Sequence, residues 1–462
     1  MNMKIKATSN PIKRFSYIAM TFLVVVSVMI TGCKKDDDDE QPPTTPGGQT
    51  IEVTGDITAS TTWSASNGYL IKGFVYVKSG ATLTIEAGTV IKGDKSTKGT
   101  LIIERGAKIM AEGTSQNPIV FTSNQTVGNR SYGDWGGIII CGNAPVNLPG
   151  GEGTIEGGVG SLYGGTAPND NSGKLKYVRI EFPGIAFQPN SEINGLTLGA
   201  VGAGTEISYI QVSYCGDDSY EMFGGQVNLK NVIAFRGWDD DFDTDLGFTG
   251  KVQYAVALRD PQIADASGSN GFESDNDGSG TTATPITQPI FSNVSVFGPL
   301  ETSSTSINSQ FKRAAHLRRN TKTSTYNSVF AGYPTGLLLD GAAAESNAAS
   351  GQLLFRNNII SGCTTPLATA SGSGFDLQAW FDTPGWGNSI ISDNSNLMCG
   401  YPFTLTSPNF LPQIGSPLLS GADFTHADLQ GGYFDAVTFR GAFGATDWTA
   451  GWANFDPQNT VY

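Results

Sequence analysis

Histidine is nearly absent from the 462 residues, occurring at His316 and His426 only, and a histidine-rich zinc site is excluded. Charge is scarce: Asp, Glu, Lys and Arg make up 15%, against roughly 25% in an ordinary soluble domain. Positive charge is the scarcer sign, with 28 Lys and Arg against 42 Asp and Glu and a net charge of −14. Such a chain has little with which to neutralise phosphates, which argues against a nucleic-acid partner. Stretches rich in Ala, Glu, Lys and Leu are missing, which excludes a coiled coil or helical bundle, and no amphipathic helix reads convincingly. Cysteine is sparse. Beyond Cys33 there are Cys141, Cys215, Cys363 and Cys399, spaced too widely for a disulfide framework or a zinc motif. Isolated buried thiols are expected, with Cys363–Cys399 the one pair to consider. Glycine, by contrast, is abundant at 59 residues, nearly twice the usual ~7%. With 39% hydrophobic and 10% aromatic residues the chain can build a core.

The N-terminus reads as an address. Lys4, Lys6, Lys13 and Arg14 precede an apolar run from Phe15 to Ile30, shorter than the about 20 residues of a membrane span. The run ends in Ile30-Thr31-Gly32-Cys33, which resembles a bacterial lipobox, so residues 1–32 are expected to be a signal peptide and Cys33 a lipidated N-terminus. Residues 33–50 follow as a tether: Lys34-Lys35-Asp36-Asp37-Asp38-Asp39-Glu40, then a Pro/Thr/Gly stretch that cannot bury apolar area. Acids close behind the cysteine resemble the surface-export signal of Bacteroidota lipoproteins. That likeness implies a body anchored in the outer membrane through lipid and facing the cell exterior. Removing residues 1–32 takes away four cations and no acid, so the mature chain is more acidic still and the lipid must provide the attachment.

The remainder reads as short β segments punctuated by glycine. Ala81–Gly88 recurs as Thr100–Gly106, each with alternating apolar residues that put one set of side chains on one face. A second pattern runs LKYVRIEFPG from Leu175, ISYIQVSYCG from Ile207, LKNVIAFRG from Leu229 and VQYAVALRD from Val252. It returns from Phe291, Tyr326 and Phe355. Spacings of 20 to 50 residues mean one supersecondary unit per repeat, which buries its face only by stacking. Gly, Ser, Thr, Asn and Asp between the segments, with few hairpin signals, favour a single-stranded right-handed parallel β-helix over a leucine-rich repeat or a propeller. An all-β solenoid is expected over residues 51–433. Residues 434–462 carry Phe434, Phe439, Phe443, Trp448, Trp452 and Phe455 and are expected to cap its last rung. This tail, with Trp135–Pro145 and Arg236–Phe248, resembles a family of Bacteroidota outer-membrane lipoproteins with a β-helical body. The resemblance implies a fold and a location and no chemistry.

One constellation carries chemistry. Tyr220-Glu221, Phe242-Asp243 and Phe272-Glu273 each set an acid behind an aromatic, at offsets of 22 and 30 residues. Stacking would line up Glu221, Asp243 and Glu273, bring Asp245 beside Asp275, and lay Asp217 and Asp218 under Asp239 and Asp240, with Asp241 and Asp277 nearby. Like charges about 5 Å apart destabilise a ladder. Arginine pairing, through Arg236 or Arg259, protonation, or a hard cation would relieve them. Calcium takes six to eight oxygens, so Asp217, Glu221, Asp239, Asp241, Asp243, Asp245, Glu273 and Asp275 are candidate ligands for Ca²⁺. A solvated, arginine-paired face is the competing expectation. Arg259, His316 and Arg318 are candidate ligand-binding cations; on a strand, His316, Arg318 and Asn320 share a face that receives an anion or pairs with the acids. Two function classes follow. One is a non-catalytic surface module for a glycan, a protein or an outer-membrane transporter partner. The other is a calcium-dependent polysaccharide lyase, which requires Lys230, Lys251 or Arg259 poised as a base over the acids. A paired-Asp hydrolase is disfavoured, since no Gly-His-Gly accompanies Asp243-Thr244-Asp245.

Overall fold

The structure, a computed structural model, describes residues 48–188, 191–370, 372 and 374–462. Cys33, the signal segment and most of the tether lie outside the described residues. From Thr50 to Ile391 the chain winds as a parallel β solenoid in one 26-stranded sheet. Each full turn contributes three short strands. The first face stacks Thr82–Ile85, Lys108–Glu112, Gly173–Lys176, Glu206–Ser208, Asn228–Lys230 and Lys251–Gln253. The second stacks Val178–Glu181, Ile210–Ser213, Val232–Phe235, Ala255–Leu258 and Val294–Phe297. The third stacks Gly137–Cys141, Leu196–Gly199, Tyr220–Phe223, Phe242–Asp245, Phe272–Ser274, Arg313–Arg318 and Thr335–Asp340.

The corner between the first two faces explains the repeat. Tyr177, Tyr209, Asn231, Tyr254, Asn293, Asn327 and Asn357 stand there in turn, all with φ between 50 and 60°. A left-handed residue bends the strand without a loop, and asparagine adopts it more readily than most. The inward positions are apolar. Leu175, Ile207, Leu229, Val252 and Phe291 stack on one face; Ile138, Leu196, Tyr220, Phe242, Phe272, Ala315 and Leu337 stack on the third, all buried. Tyr220 and Phe242 lie ring on ring at 5.3 Å.

Several expectations change. The 82–85 and 100–103 segments do not stack on each other. They occupy different faces, pairing with Lys108–Ala111 and with Gly137–Ile140 respectively, because the same alternation serves any face of a coil. In the late repeats, Thr325 rather than Tyr326 stands beside Phe291. Tyr326 points outward, where its hydroxyl meets Asp428 at 2.6 Å and His426 at 3.0 Å; a one-residue slip exchanges the faces. Among the described residues two short α-helices are present, Ala342–Ala349 and Leu377–Phe381. All four described cysteines are free, so Cys363 and Cys399 do not pair.

The aromatic tail is a strap along the flank rather than a cap on the last rung. Its backbone is held by corner and strand amides over most of the solenoid. Asn357 donates to Gly421 O and Asn327 to Asp423 O; Asn293 donates to Phe439 O. Gln253 exchanges two hydrogen bonds with Asp435, and Gln211 two with Asn454. Near the first turns Arg130 donates to Pro457 O and Thr460 O. The reason is the second face, which is apolar outward as well as inward: Ile233, Phe235, Val256, Leu258, Phe297 and Val329 pack against Phe410, Phe443 and Trp452. A strand run that is hydrophobic at nearly every position needs cover on both sides, and the tail provides it.

Candidate functional site

The third face carries the acids on its outward positions. Thr197, Glu221, Asp243, Glu273 and His316 are directly paired in adjacent strands, so their Cβ atoms stand about 5 Å apart. The inward neighbours Tyr220, Phe242 and Phe272 lock this register, because sliding by one residue would bury the acids and expose the rings. The loop that leads into each strand adds Asp217 and Asp218 on one turn and Asp239 and Asp240 on the next, where the Asp240 N–H donates to the Asp218 carboxylate at 2.8 Å.

Carboxylate oxygens meet in three triads, each with its oxygens within 4.8 Å of one another: Asp217 with Asp218 and Asp239; Asp218 with Glu221 and Asp243; Asp240 with Asp243 and Glu273. Oxygens on opposite sides of one calcium ion are separated by about 4.8 Å, twice the ~2.4 Å bond. Asp218 and Asp243 each belong to two triads, so the three form one continuous patch.

The patch is electrostatically lopsided. At one end His316 bridges Glu273 and Asp340, at 3.1 and 2.8 Å. Arg318 reaches both Glu273 and Asp275, and Arg319 reaches Asp275 at 2.8 Å. Burial pushes the Glu273 carboxyl up, but the His316 hydrogen bond and the Arg318 charge outweigh it and hold it below the usual range. At the other end, among the described residues, no cation pairs with Asp217, Asp218, Glu221, Asp239, Asp240 or Asp243. Burial first, and neighbouring acids second, raise Asp217, Asp218, Glu221, Asp240 and Asp243 well above the ordinary carboxylate range. Burial raises Asp239 to about 6 and Asp245 to about 7. Neutral donors serve part of the cluster: Asn194 donates to Glu221, Asn270 to Asp240 and Glu273, and Ser267 to Asp239. Asp239 Oδ1 and Asp243 Oδ1 are buried without any partner.

Beside the triads lies a cleft of about 830 Å³, lined by Asp217, Asp239, Asp265, Glu192, Tyr132 and Trp238 among others. Trp238 is 41% exposed, and its ring meets Tyr132 edge to face at 5.9 Å. Among the described residues, no Lys, Arg or His lines this cleft.

The structure brings Asp217, Glu221, Asp239, Asp243 and Glu273 together and leaves the other expected ligands outside the triads. Asp241 is fully buried and bonded to Arg259 at 2.9 Å. Arg259 is itself unexposed, donates also to Trp238 O and lies over the Phe311 ring, so neither is open to a ligand. Asp245 accepts from its neighbour's N–H, Leu246 N, and Asp275 is held by two arginines. His316 and Arg318 are engaged by the acids. Lys230 and Lys251 stand on the first face, away from the ladder. Sequence reasoning left Asp218 and Asp240 out of the ligand set, although their 22-residue spacing repeats that of Asp217 and Asp239. Asn194, Asn270 and Trp238 carried no signal.

A comparison with the curated proteins finds no match. Among solved structures, the crystal structure of pectate lyase Pel9A is similar at 12% sequence identity and a TM-score of 0.38, over 86% of each chain. Residues 55–384, nearly the whole solenoid, match the family described as the pectate-lyase-like beta helix domain, and the chain belongs to that family.

Proposed function

We propose that this protein is a non-catalytic binding module stabilised by calcium, anchored to the outer membrane by lipid on Cys33 and facing the cell exterior. The observation that carries the reading is the cleft: unpaired acids beside an exposed Trp238, with no base in its lining among the described residues. Asp217, Asp218, Glu221, Asp239, Asp240 and Asp243 would hold the ion, which would supply positive charge to a ligand entering beside Trp238 and Tyr132. A glycan, a protein or a transporter subunit fits such a cleft. β-Elimination needs a base within reach of the proton it removes, and the three cations that would serve are engaged elsewhere: Arg259 is buried on Asp241, while Lys230 and Lys251 lie on another face. The test is absorbance of the unsaturated uronate product. Full-length protein incubated with polygalacturonate and calcium is expected to release none, and steady release that Asp243→Asn abolishes would establish the lyase instead.

A further inference from the structure

A second cavity opens on the opposite flank, between the strap and the first corner of the solenoid, with a volume of about 680 Å³. It is lined by rings from both sides, Tyr209 and Tyr254 from the corner column and Tyr433, Phe439 and Trp448 from the strap. Its charged residues are all paired: Lys230 with Asp435 at 2.8 Å and Glu206 with Lys174 at 3.1 Å. The groove therefore presents aromatic faces and hydrogen-bonding groups with its charges locally balanced.

The asparagines of the corner behave differently at this point of the solenoid. Asn293, Asn327 and Asn357 each donate to strap backbone. Asn231 has the same left-handed conformation, φ 57°, and is only 7% exposed, yet its amide has no hydrogen-bond partner among the described residues and faces the groove. Its three counterparts are taken up by the strap, whereas the Asn231 amide is open to the groove and available to a ligand. Tyr209 and Tyr254 stand one turn before and one turn after Asn231, so the amide sits between two rings.

We propose that this groove binds a short segment of a neutral glycan. An amide offers a donor and an acceptor to adjacent sugar hydroxyls, while the apolar faces of the pyranose rings lie against Tyr209 and Trp448. The cavity size and the mixture of aromatic lining with few polar groups are those of a ligand site. The balanced charge selects an uncharged sugar over a uronate. The inference rests on the binding-module reading but not on calcium.

The test is tryptophan fluorescence and calorimetry on the full chain in detergent. The probes are hexasaccharides of β-1,4-linked glucose, xylose and mannose, a galacturonate hexamer, and an uncharged extended peptide. At least one neutral hexasaccharide is expected to bind, with undiminished affinity in chelator. Asn231→Gly keeps the left-handed corner without strain and removes the amide; it should weaken binding at least tenfold, as should Trp448→Ala. Asp243→Asn should leave it unchanged, which separates this groove from the acidic cleft. Binding of no neutral sugar, preference for the galacturonate hexamer or the peptide, or full affinity in folded Asn231→Gly and Trp448→Ala would each overturn the proposal.

Discussion

Asp243 belongs to two of the three carboxylate triads, and one of its oxygens is buried without a partner. Replacing it with asparagine conserves shape and removes one charge, and calcium offsets or reverses the consequence. Two ionised carboxylates with oxygens within 4.8 Å of each other repel by about 3.5 kcal/mol or more at an effective dielectric near 20. Protonation relieves part of this, so removing Asp243 should stabilise the metal-free protein by about 1–3 kcal/mol. With an unfolding entropy near 2.1 cal/mol/K per residue, a 462-residue chain melts about 1 °C higher per kcal/mol. In chelator, Asp243→Asn should thus melt about 1–3 °C above the parent. Calcium at a hundredfold over Kd should stabilise the parent by about 2.7 kcal/mol, a rise of about 3 °C, and the variant by little. Asp94→Asn, in an early loop where Asp94 accepts from Ser96 and Thr97, should not alter the calcium response. The pH dependence follows the same sign. Carboxyls raised in the fold bind protons that the unfolded chain, titrating near 4, has released. Metal-free stability should therefore rise as pH falls from above 7, through the values of about 7 for Asp245 and about 6 for Asp239, towards 4. Calcium stabilisation should fade over the same range. Scanning calorimetry of both proteins at pH 5 and 8, with calcium and with chelator, checks all four corners. A variant that melts lower in chelator and keeps its calcium shift would refute the reasoning.

Three further outcomes are expected. Arg259→Met strands the buried Asp241 carboxylate, and urea unfolding should show a loss of about 3–5 kcal/mol; a change below 1 kcal/mol would contradict the ion pair. Trp452, 1% exposed where the strap covers the second face, should cost about 3–5 kcal/mol on replacement by alanine and open residues 434–462 to limited proteolysis; an unchanged digestion pattern would deny the strap its covering role. Cys33→Ser should abolish incorporation of a labelled lipid precursor, and alanines at 36–40 should convert surface exposure to protease protection in intact cells. Retained labelling or unchanged accessibility would defeat the anchor and the export signal respectively.

Much of the fold was legible because the corner repeat encodes it directly. Leu175, Ile207, Leu229 and Val252 recur one turn apart and do stack. The acid ladder was legible for the same reason: the aromatics at Tyr220, Phe242 and Phe272 mark the inward position, and the acid after each must point outward. The fate of the tail was not legible as read, although its signal was present. Segments such as 232–235 and 255–258 are apolar at consecutive positions, which demands cover on two sides, and the only aromatic-rich segment left to supply it is the C-terminal one. The partition of the acids between paired and unpaired depends on which loop residues fold over them. Arg259 follows the second face, yet its guanidinium turns in beneath Trp238 to meet Asp241, and nothing in the spacing distinguishes that from an exposed cation. Asn194 and Asn270 come from loops whose lengths vary from turn to turn, so no repeat announces them.

The central claim is that the unpaired acids form a cation site beside a cleft that, among the described residues, no base lines. Isothermal titration of the chelator-treated full chain with calcium tests it most directly. The account predicts a saturable isotherm of one or two ions per chain, with proton release on binding at pH 6, and its loss in Asp243→Asn. A flat titration in the parent, or an isotherm that Asp243→Asn leaves intact, would contradict it.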